Sequence, residues 1–413
     1  VIRDLETVVG NGLCSGCGLC ESVAGQERVR MTMTSIGQLR PAVAGPLPGP
    51  VLDEALAVCP GVEVRGPDAE AGVAVHPVWG PIASLARGWS TDPEVRHHGA
   101  AGGVLSALAL HLLEREGVDA VLHVRAALPD RPLETVAHVS RTRADVLAGA
   151  QSRYGPAAPL VHVHRLLDEG ARIAIVAKPC DISAVRALQR RDARARDQIA
   201  ATLTSYCGGV PSLRMAEKIV RSHGVEPGDV AGFTFRGDGW PGPMRTTARD
   251  GRTFDVTYDT AWYDPAVPWT YDMQFRCKIC PDAVGEVADV SCPDGWVLRD
   301  GEPIHLEGEG RNIIIARTGA GTALVERARA AGYLETAACT MAELEATERD
   351  HLPRKLSAHA RAIGVRLAGR PSLRIRGYRS ATAVRRAGLR RTVSAAWGGF
   401  RRARREATRE PQP

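Results

Sequence analysis

The sequence predicts an α/β protein, a mixed sheet flanked by helices and preceded by a small thiol-rich segment. Three observations carry this. Cys14, Cys17 and Cys20 stand at a three-residue beat near the start of the chain, with Cys59-Pro60 answering later. Short apolar runs with strand character alternate with helical patterns between residues 104 and 205, which reads as βα units and hence parallel sheet. Near Asp250-Gly251 a hairpin signal interrupts the alternation, so part of the protein is antiparallel.

The thiol triplet reads as an iron–sulfur ligand set. A C-x2-C-x2-C loop points three thiolates at one cubane, a remote Cys-Pro supplies the fourth, and Gly16 and Gly18 permit the positive φ such a loop needs. The alternative is structural zinc, which usually takes paired C-x2-C knuckles. Gly and Pro are dense from Pro41 to Pro50, marking a loop between the triplet and Cys59.

A linker through Gly66–Pro81 leads to WSTDPEVRHHGAAGG (89–103) and then to a helix whose apolar residues at 104, 105, 108, 112 and 113 share one face. Glycines opening a helix suit a phosphate, although they equally serve packing or capping. Val118–Val124 is expected as a buried strand. Residues 165–191 read helix, strand (Arg172–Ala177), then a helix opened by Lys178-Pro179-Cys180-Asp181, where the dipole is expected to lower the thiol pKa of Cys180. The strand-like run Ile199–Ser205 ends at Cys207-Gly208-Gly209, at the sheet edge where α/β proteins place their chemistry. Residues 229–258 are expected to be antiparallel. Trp240, Trp262, Trp269 and Trp296 surround the next motif and would serve as core or as walls for a planar cofactor.

Cys277-Lys-Ile-Cys280, alone, is ambiguous among zinc, a redox dithiol and a cluster. Grouped with Cys180 and Cys207 it makes a second four-thiolate set, read as a second 4Fe-4S cluster against zinc or partial ligation. Cys292 competes as a fifth ligand, and Cys339 is expected to be an ordinary buried thiol. Asn312–Arg317 and Thr322–Ala331 read as another αβ repeat, and a capping box at Thr340/Glu343 starts one long helix toward Ala368.

At 413 residues, 44% hydrophobic and 24% charged, the chain has the composition of a soluble globular protein of about two or three domains. No apolar run approaches the roughly 18 residues of a membrane span, and no secretory leader is visible. Ten cysteines are too sparse for a disulfide scaffold and too clustered to be incidental, which favours metal ligation in a reducing cytoplasm. Residues 351–413 carry 17 Lys+Arg against 2 Asp+Glu, +15, whereas residues 1–350 carry 36 against 45, −9. Within the tail's part beyond Pro371, residues 371–413, Leu389, Val393, Trp397 and Phe400 recur at helical spacing. It reads either as an amphipathic helix for an anionic membrane surface or an acidic partner, or as a solvated, partly disordered tail. Nucleic acid is not expected, because no recognised binding fold accompanies the charge.

Taken together, WSTDPEVRHHGAAGG, VDAVLHV, GAQSRYG, VAKPCDISAVRAL, SYCGG, FRCKICPD with ADVS, and NIIIART resemble, in order over about residues 5–340, the coenzyme F420 hydrogenase/dehydrogenase beta-subunit family. The resemblance implies an iron–sulfur flavoprotein with FAD and 4Fe-4S clusters, an oxidoreductase moving electrons between coenzyme F420 or a similar hydride carrier and one-electron acceptors. A ferredoxin-dependent reductase of an organic substrate, of the tetrapyrrole-reductase kind, and a non-catalytic electron-transfer subunit are the alternatives. It implies a redox partner such as ferredoxin or a hydrogenase/dehydrogenase subunit, and an oligomer. It divides the chain into a ferredoxin-like segment (1–70), family N-terminal (80–160) and C-terminal (161–345) domains, and a helical basic tail (346–413).

By position, Cys14, Cys17, Cys20 and Cys59 match the family's ferredoxin-like ligands, and Cys180, Cys207, Cys277 and Cys280 its other cysteines. Gly99, Gly102, Gly103, Arg153, Tyr154 and Lys178 are the expected flavin-region residues. Ala100 and Ala101 replace the family's serines, and Lys178 stands where many relatives have Thr. Lys178, Arg153 and Arg96 are candidates for stabilising a reduced flavin or binding substrate anions, or else structural charges. His97 and His98 could donate protons near neutral pH.

Overall fold

The computed structural model describes residues 2–264, 266 and 272–413; Trp269 lies outside the described residues. Its centre is one eight-stranded sheet. The strands are β1 (Ser84–Ser90), β2 (Ala120–Ala127), β3 (Arg131–Ser140), β4 (Ile173–Val176), β5 (Ile199–Thr204), β6 (Val290–Ser291), β7 (Asn312–Ala316) and β8 (Leu334–Ala338). They lie in the order β8-β1-β7-β6-β5-β4-β2-β3. Only the middle four, β2-β4-β5-β6, run parallel; every outer pairing is antiparallel. The chain is therefore a mixed α/β protein with a large mixed sheet.

Both faces of the sheet are covered, which explains the unbroken apolar runs of β4 and β7. Ala120, Leu122, Ile173 and Ile175 pack against Ile182, Val185 and Leu188 of the helix Pro179–Gln189. Their neighbours Val121 and Ala174 point the other way, onto the helices Val104–Arg115 and Gly319–Ala330. The antiparallel insertion forms as expected: Val230–Thr234, Met244–Ala248 and Thr253–Val256 make a three-stranded sheet turned at Gly251, whose φ of 91° suits glycine.

The strand Asn312–Ala316 and its helix Gly319–Ala330 form as expected, with β7 antiparallel to both β1 and β6. One expectation needs correction. The helix begun at the Thr340 capping box stops at Thr347, and a second runs His351–Leu367. Pro353 accounts for the break: inside one continuous helix its ring would meet the Arg349 carbonyl and remove a hydrogen bond, whereas in the first turn of a new helix no N–H is needed.

The basic tail is folded onto the body. Its helix Ser380–Arg404, kinked at Gly388, crosses His351–Leu367 so closely that a Cβ on Gly364 would overlap the Ala396 carbonyl, and one on Gly399 the Arg361 carbonyl. The inward residues are Gly399 and Ala403, while Leu389, Val393 and Trp397 face solvent at 78%, 58% and 59% exposure. Arg374–Arg376 pairs with Glu63–Arg65. Farther on, Glu410 enters a buried ion pair with Arg40, and Gln412 Nε2 donates to the Glu6 carbonyl at 3.0 Å. Among the described residues no helix is long and apolar enough to cross a membrane.

Candidate functional site

The first thiol set is built by a loop that only glycine allows. Gly16 and Gly18 have φ of 77° and 83°, and a Cβ on Gly18 would stand 2.5 Å from Val161 Cγ1. The loop therefore packs against 158–161 and turns Cys14, Cys17 and Cys20 toward Cys59, which follows the helix Gly49–Ala57. All four thiols line one small cavity, walled by Leu5, Val8 and Met31. The Gly16 N–H donates to Cys14 Sγ at 3.3 Å. Burial raises the four thiol pKa values, that of Cys59 to about 11, so these groups become thiolates only opposite strong positive charge.

The structure also brings Cys180, Cys207, Cys277 and Cys280 around a single small cavity. Cys180 comes from the first turn of the helix after β4, Cys207 from the loop after β5, and Cys277 from the short helix Phe275–Lys278. Val210 N–H and Gln274 Nε2 donate to Cys277 Sγ at 3.3 and 3.4 Å. Burial, then the Asp181 carboxylate, push the Cys180 thiol up despite Lys178 nearby, so the expected lowering at the helix N-terminus is outweighed. Burial likewise takes Cys207 to about 12. Cys292 is outside this cavity, in the wall of the larger cleft described below, and Cys339 is half-buried beside Thr340. Among the described residues no three Cys, His, Asp or Glu side chains converge closely enough to hold one metal ion.

Two buried arginines join the sets. Arg276 donates to the Pro60 carbonyl, next to Cys59, at 2.9 and 3.2 Å, and its charge faces Cys280, Cys180 and Cys277. Arg40, 1% exposed, donates to Gln274 Oε1 at 3.0 Å and is held by Glu410 through bonds of 2.6 and 3.0 Å.

Beside the second set an open cleft of about 300 Å³ lies at the C-terminal ends of β4 and β5, where residues 176–179 and 205–210 leave the sheet. Pro179, Cys207, Gly209 and Val210 line both spaces. Gly99, Gly103, Ala100 and Ala101 line the cleft, as do Arg153, Tyr154 and Lys178. Gly102 is behind it, where a Cβ would stand 2.8 Å from Arg311 Cα and the Gly88 carbonyl. Lys178 Nζ is paired with the buried Asp181 at 2.7 Å. The Arg153 guanidinium donates to the carbonyls of Phe233, Pro132, Leu133 and Glu134 and tethers the antiparallel insertion to β3. Arg96 is bound to the Gly310 carbonyl at 2.8 Å and to Glu309, and His98 Nδ1 lies 2.5 Å from Asp238. His97 accepts from Gly239 N–H through its carbonyl.

Sequence reasoning missed Asn312 and Arg236. Asn312 Oδ1 accepts from the N–H groups of Gly102 and Val104, at 2.9 and 3.4 Å, so part of the glycine-loop donor set is already used inside the protein. Arg236, 3% exposed, forks onto Asp294 at 3.0 and 3.0 Å and lies over the Tyr258 and Trp296 rings. Nothing local marks either one, since their partners lie far along the chain.

A mixed sheet carrying two four-thiol cavities, the second sharing its wall with a cleft at the parallel strand ends, defines a class of protein before any comparison. The family models for the coenzyme F420 hydrogenase/dehydrogenase beta subunit match residues 85–165 (N-terminal part) and 170–341 (C-terminal part), and the chain belongs to this family. It is similar to the coenzyme F420 hydrogenase subunit beta of Methanosarcina barkeri, 23% identical over 63% of this chain and 83% of that protein. It is also similar to the F420-dependent formate dehydrogenase 1 subunit beta of Methanococcus maripaludis, 23% identical over 60% of each. Among solved structures it shares a fold with a chain of the F420-reducing [NiFe] hydrogenase complex of Methanosarcina barkeri. There the TM-score is 0.53 and the identity 22%, over 73% of this chain and 98% of that one.

Proposed function

We propose that this chain is the iron–sulfur flavoprotein subunit of an oxidoreductase that exchanges electrons between coenzyme F420, or a similar hydride carrier, and one-electron acceptors. The observation that carries this reading is the succession of spaces: a cavity with four thiols, a second with four thiols, and a large cleft sharing Cys207 and Gly209 with the second. Thiols spread around a cavity suit a polynuclear cluster better than a single tetrahedral ion. Cys14, Cys17, Cys20 and Cys59 would hold one 4Fe-4S cluster, and Cys180, Cys207, Cys277 and Cys280 another. The cleft bordered by Gly99, Gly103, Tyr154 and Lys178 would take FAD. A bound flavin supplies the conversion between two-electron and one-electron transfer.

The chain's own residues prepare these spaces. N–H donors to Cys14 and Cys277 stabilise negative sulfur. Arg40 and Arg276, buried between the two sets, place positive charge where electrons would reside. Lys178, fixed by Asp181, brings an ammonium group to the cleft wall for an anionic reduced ring. Arg153, occupied by four carbonyls, shapes the wall. The relatives named above are subunits of hydrogenase and formate dehydrogenase enzymes, which supports a partner subunit here too. The reading as a ferredoxin-dependent reductase of an organic substrate draws on Ala100 and Ala101, methyl groups in the cleft lining where the family's serines would place hydroxyls.

The test is the iron, sulfide, zinc and flavin content of protein purified without oxygen, followed by addition of reduced coenzyme F420. About eight irons and one FAD per chain, with stoichiometric oxidation of the coenzyme, are expected. Zinc without flavin would reject the reading.

A further inference from the structure

Of the ten large apolar side chains left exposed among the described residues, six stand on the hairpin formed by the helices His351–Leu367 and Ser380–Arg404. Gly364 lies against Ala396 and Gly399 against Arg361, so the two helices run antiparallel, and Ile363 and Leu367 come level with Trp397 and Val393. Leu389, Val393 and Trp397 repeat every four residues on one face of the tail helix, and the Trp397 ring stacks on Phe400 with centroids 5.3 Å apart. This face cannot turn inward. Packing on the neighbouring helix is so close that even a Cβ at Gly399 would overlap backbone, which leaves no room for a leucine or a tryptophan. The large side chains are held outward by the small ones.

The charge on the hairpin has one sign. Residues 351–405 contain no Asp or Glu, and the tail helix carries seven arginines. All seven are exposed and none joins an ion pair among the described residues, whereas Arg370, Arg374, Arg376 and Arg379 around it each meet a carboxylate. Arg390 is three residues before Val393 and Arg401 four after Trp397, so both flank the apolar stripe. Arginines left unneutralised beside outward aliphatic and aromatic side chains match a partner that offers many anionic groups over an apolar layer. A bilayer containing acidic phospholipids does so: its phosphates sit at the level where guanidinium and indole groups settle, and the acyl chains lie just beneath.

We propose that this hairpin seats the protein on an anionic membrane surface, with Leu389, Val393 and Trp397 entering the acyl boundary and the arginines on lipid phosphates. The contact is peripheral, since no helix among the described residues is long and apolar enough to cross a membrane. An acidic protein would satisfy the arginines too, but side chains projecting singly from the outer face of a helix enter a fluid surface without needing a matching groove. The hairpin follows the family-matched span, which ends at residue 341, and the proposal does not rest on the function given above.

The experiment is flotation of the full-length protein, prepared without oxygen, with vesicles of phosphatidylcholine alone and of phosphatidylcholine mixed equally with phosphatidylglycerol. Binding to the mixed vesicles only, weakening as salt is raised, is expected. Trp397→Ser and Leu389→Ser should each lower the partition coefficient about fivefold, and Arg390→Ala combined with Arg401→Ala at least about tenfold. Circular dichroism should stay as in the wild type, because these side chains are exposed. Equal binding to both vesicles overturns the proposal, and binding to neither overturns it in favour of an acidic protein. Binding that falls with the arginine substitutions yet ignores Trp397→Ser and Leu389→Ser also overturns it, since charge alone would then be at work. Self-association without lipid that Trp397→Ser abolishes would assign the face to a second copy and overturn it likewise.

Discussion

Arg40 shows how much a single buried charge depends on its partner. Its guanidinium bridges Gln274 and Glu410 between the two thiol sets, where an unpaired cation would be costly. Glu410→Gln should therefore lower unfolding stability by about 2–4 kcal/mol in denaturant titration, whereas an exposed pair such as Arg65–Asp68 should give under about 1 kcal/mol. Glu348 gives a pH signature of known sign. Its carboxyl pKa rises from 4.5 to about 7 on folding, so the native state holds the proton more tightly than the unfolded chain. Its contribution is fully present below pH 4.5 and is lost as the pH rises through 7. Relative to wild type, Glu348→Gln should gain stability with increasing pH across that window, with a ceiling of about 3 kcal/mol, read from paired thermal melts. The gathering of Cys14, Cys17, Cys20 and Cys59 around one cavity was legible in the sequence because the triplet's spacing is a local signal, whereas that of Cys180, Cys207, Cys277 and Cys280 was inferred across sequence distance. Arg40, Arg236 and Asn312 were not legible. Their meaning lies in Glu410, Asp294 and Gly102, and no local pattern couples residues separated by 370, 58 and 210 positions.

Among the elements, those with a single period were read correctly. The helix from Val104 and the strands near 120, 173 and 199 carry unbroken apolar patterns, and their buried faces alternate as the sheet requires. Strand direction was not legible: NIIIA reads the same whether β7 is parallel or antiparallel, and the choice is made by β1 and β6 on either side. The helix near 350 was misjudged by giving the capping box more weight than Pro353. Pro353→Ala would remove the stop signal. Helix content over 341–367 should rise, Glu348 should leave its buried position, and backbone amide protection at residues 348–351 should increase in hydrogen exchange. The tail helix carries a similar lesson. Its conspicuous stripe Leu389, Val393, Trp397 stays outside, and the packed face is made of the small residues Gly399 and Ala403. Gly399→Val should push the two helices apart and cost about 1–3 kcal/mol in denaturant unfolding, while Val393→Ala should be nearly neutral.

For the molecule as a whole, one core unites the beginning, middle and end of the chain: Leu13 and Cys17 share it with Ile182, Val287, Leu373 and Ala403. The spaces proposed for cofactors lie where these segments meet. Ending the chain after Arg404 would remove Glu410 and Gln412, and proteolysis within residues 5–45 should then quicken while the central sheet stays protected. The pairing of residues 40 and 410 also sets an order of events during synthesis. Cys14, Cys17 and Cys20 are made long before Glu410, so the arginine beside them gains its counter-charge only when residue 410 has emerged. Until then Arg40 stands without the carboxylate that holds it in place. If the four thiols hold the proposed cluster, its insertion would follow the emergence of residue 410, and a cell making this protein would need to shield those thiols from oxidation until that point.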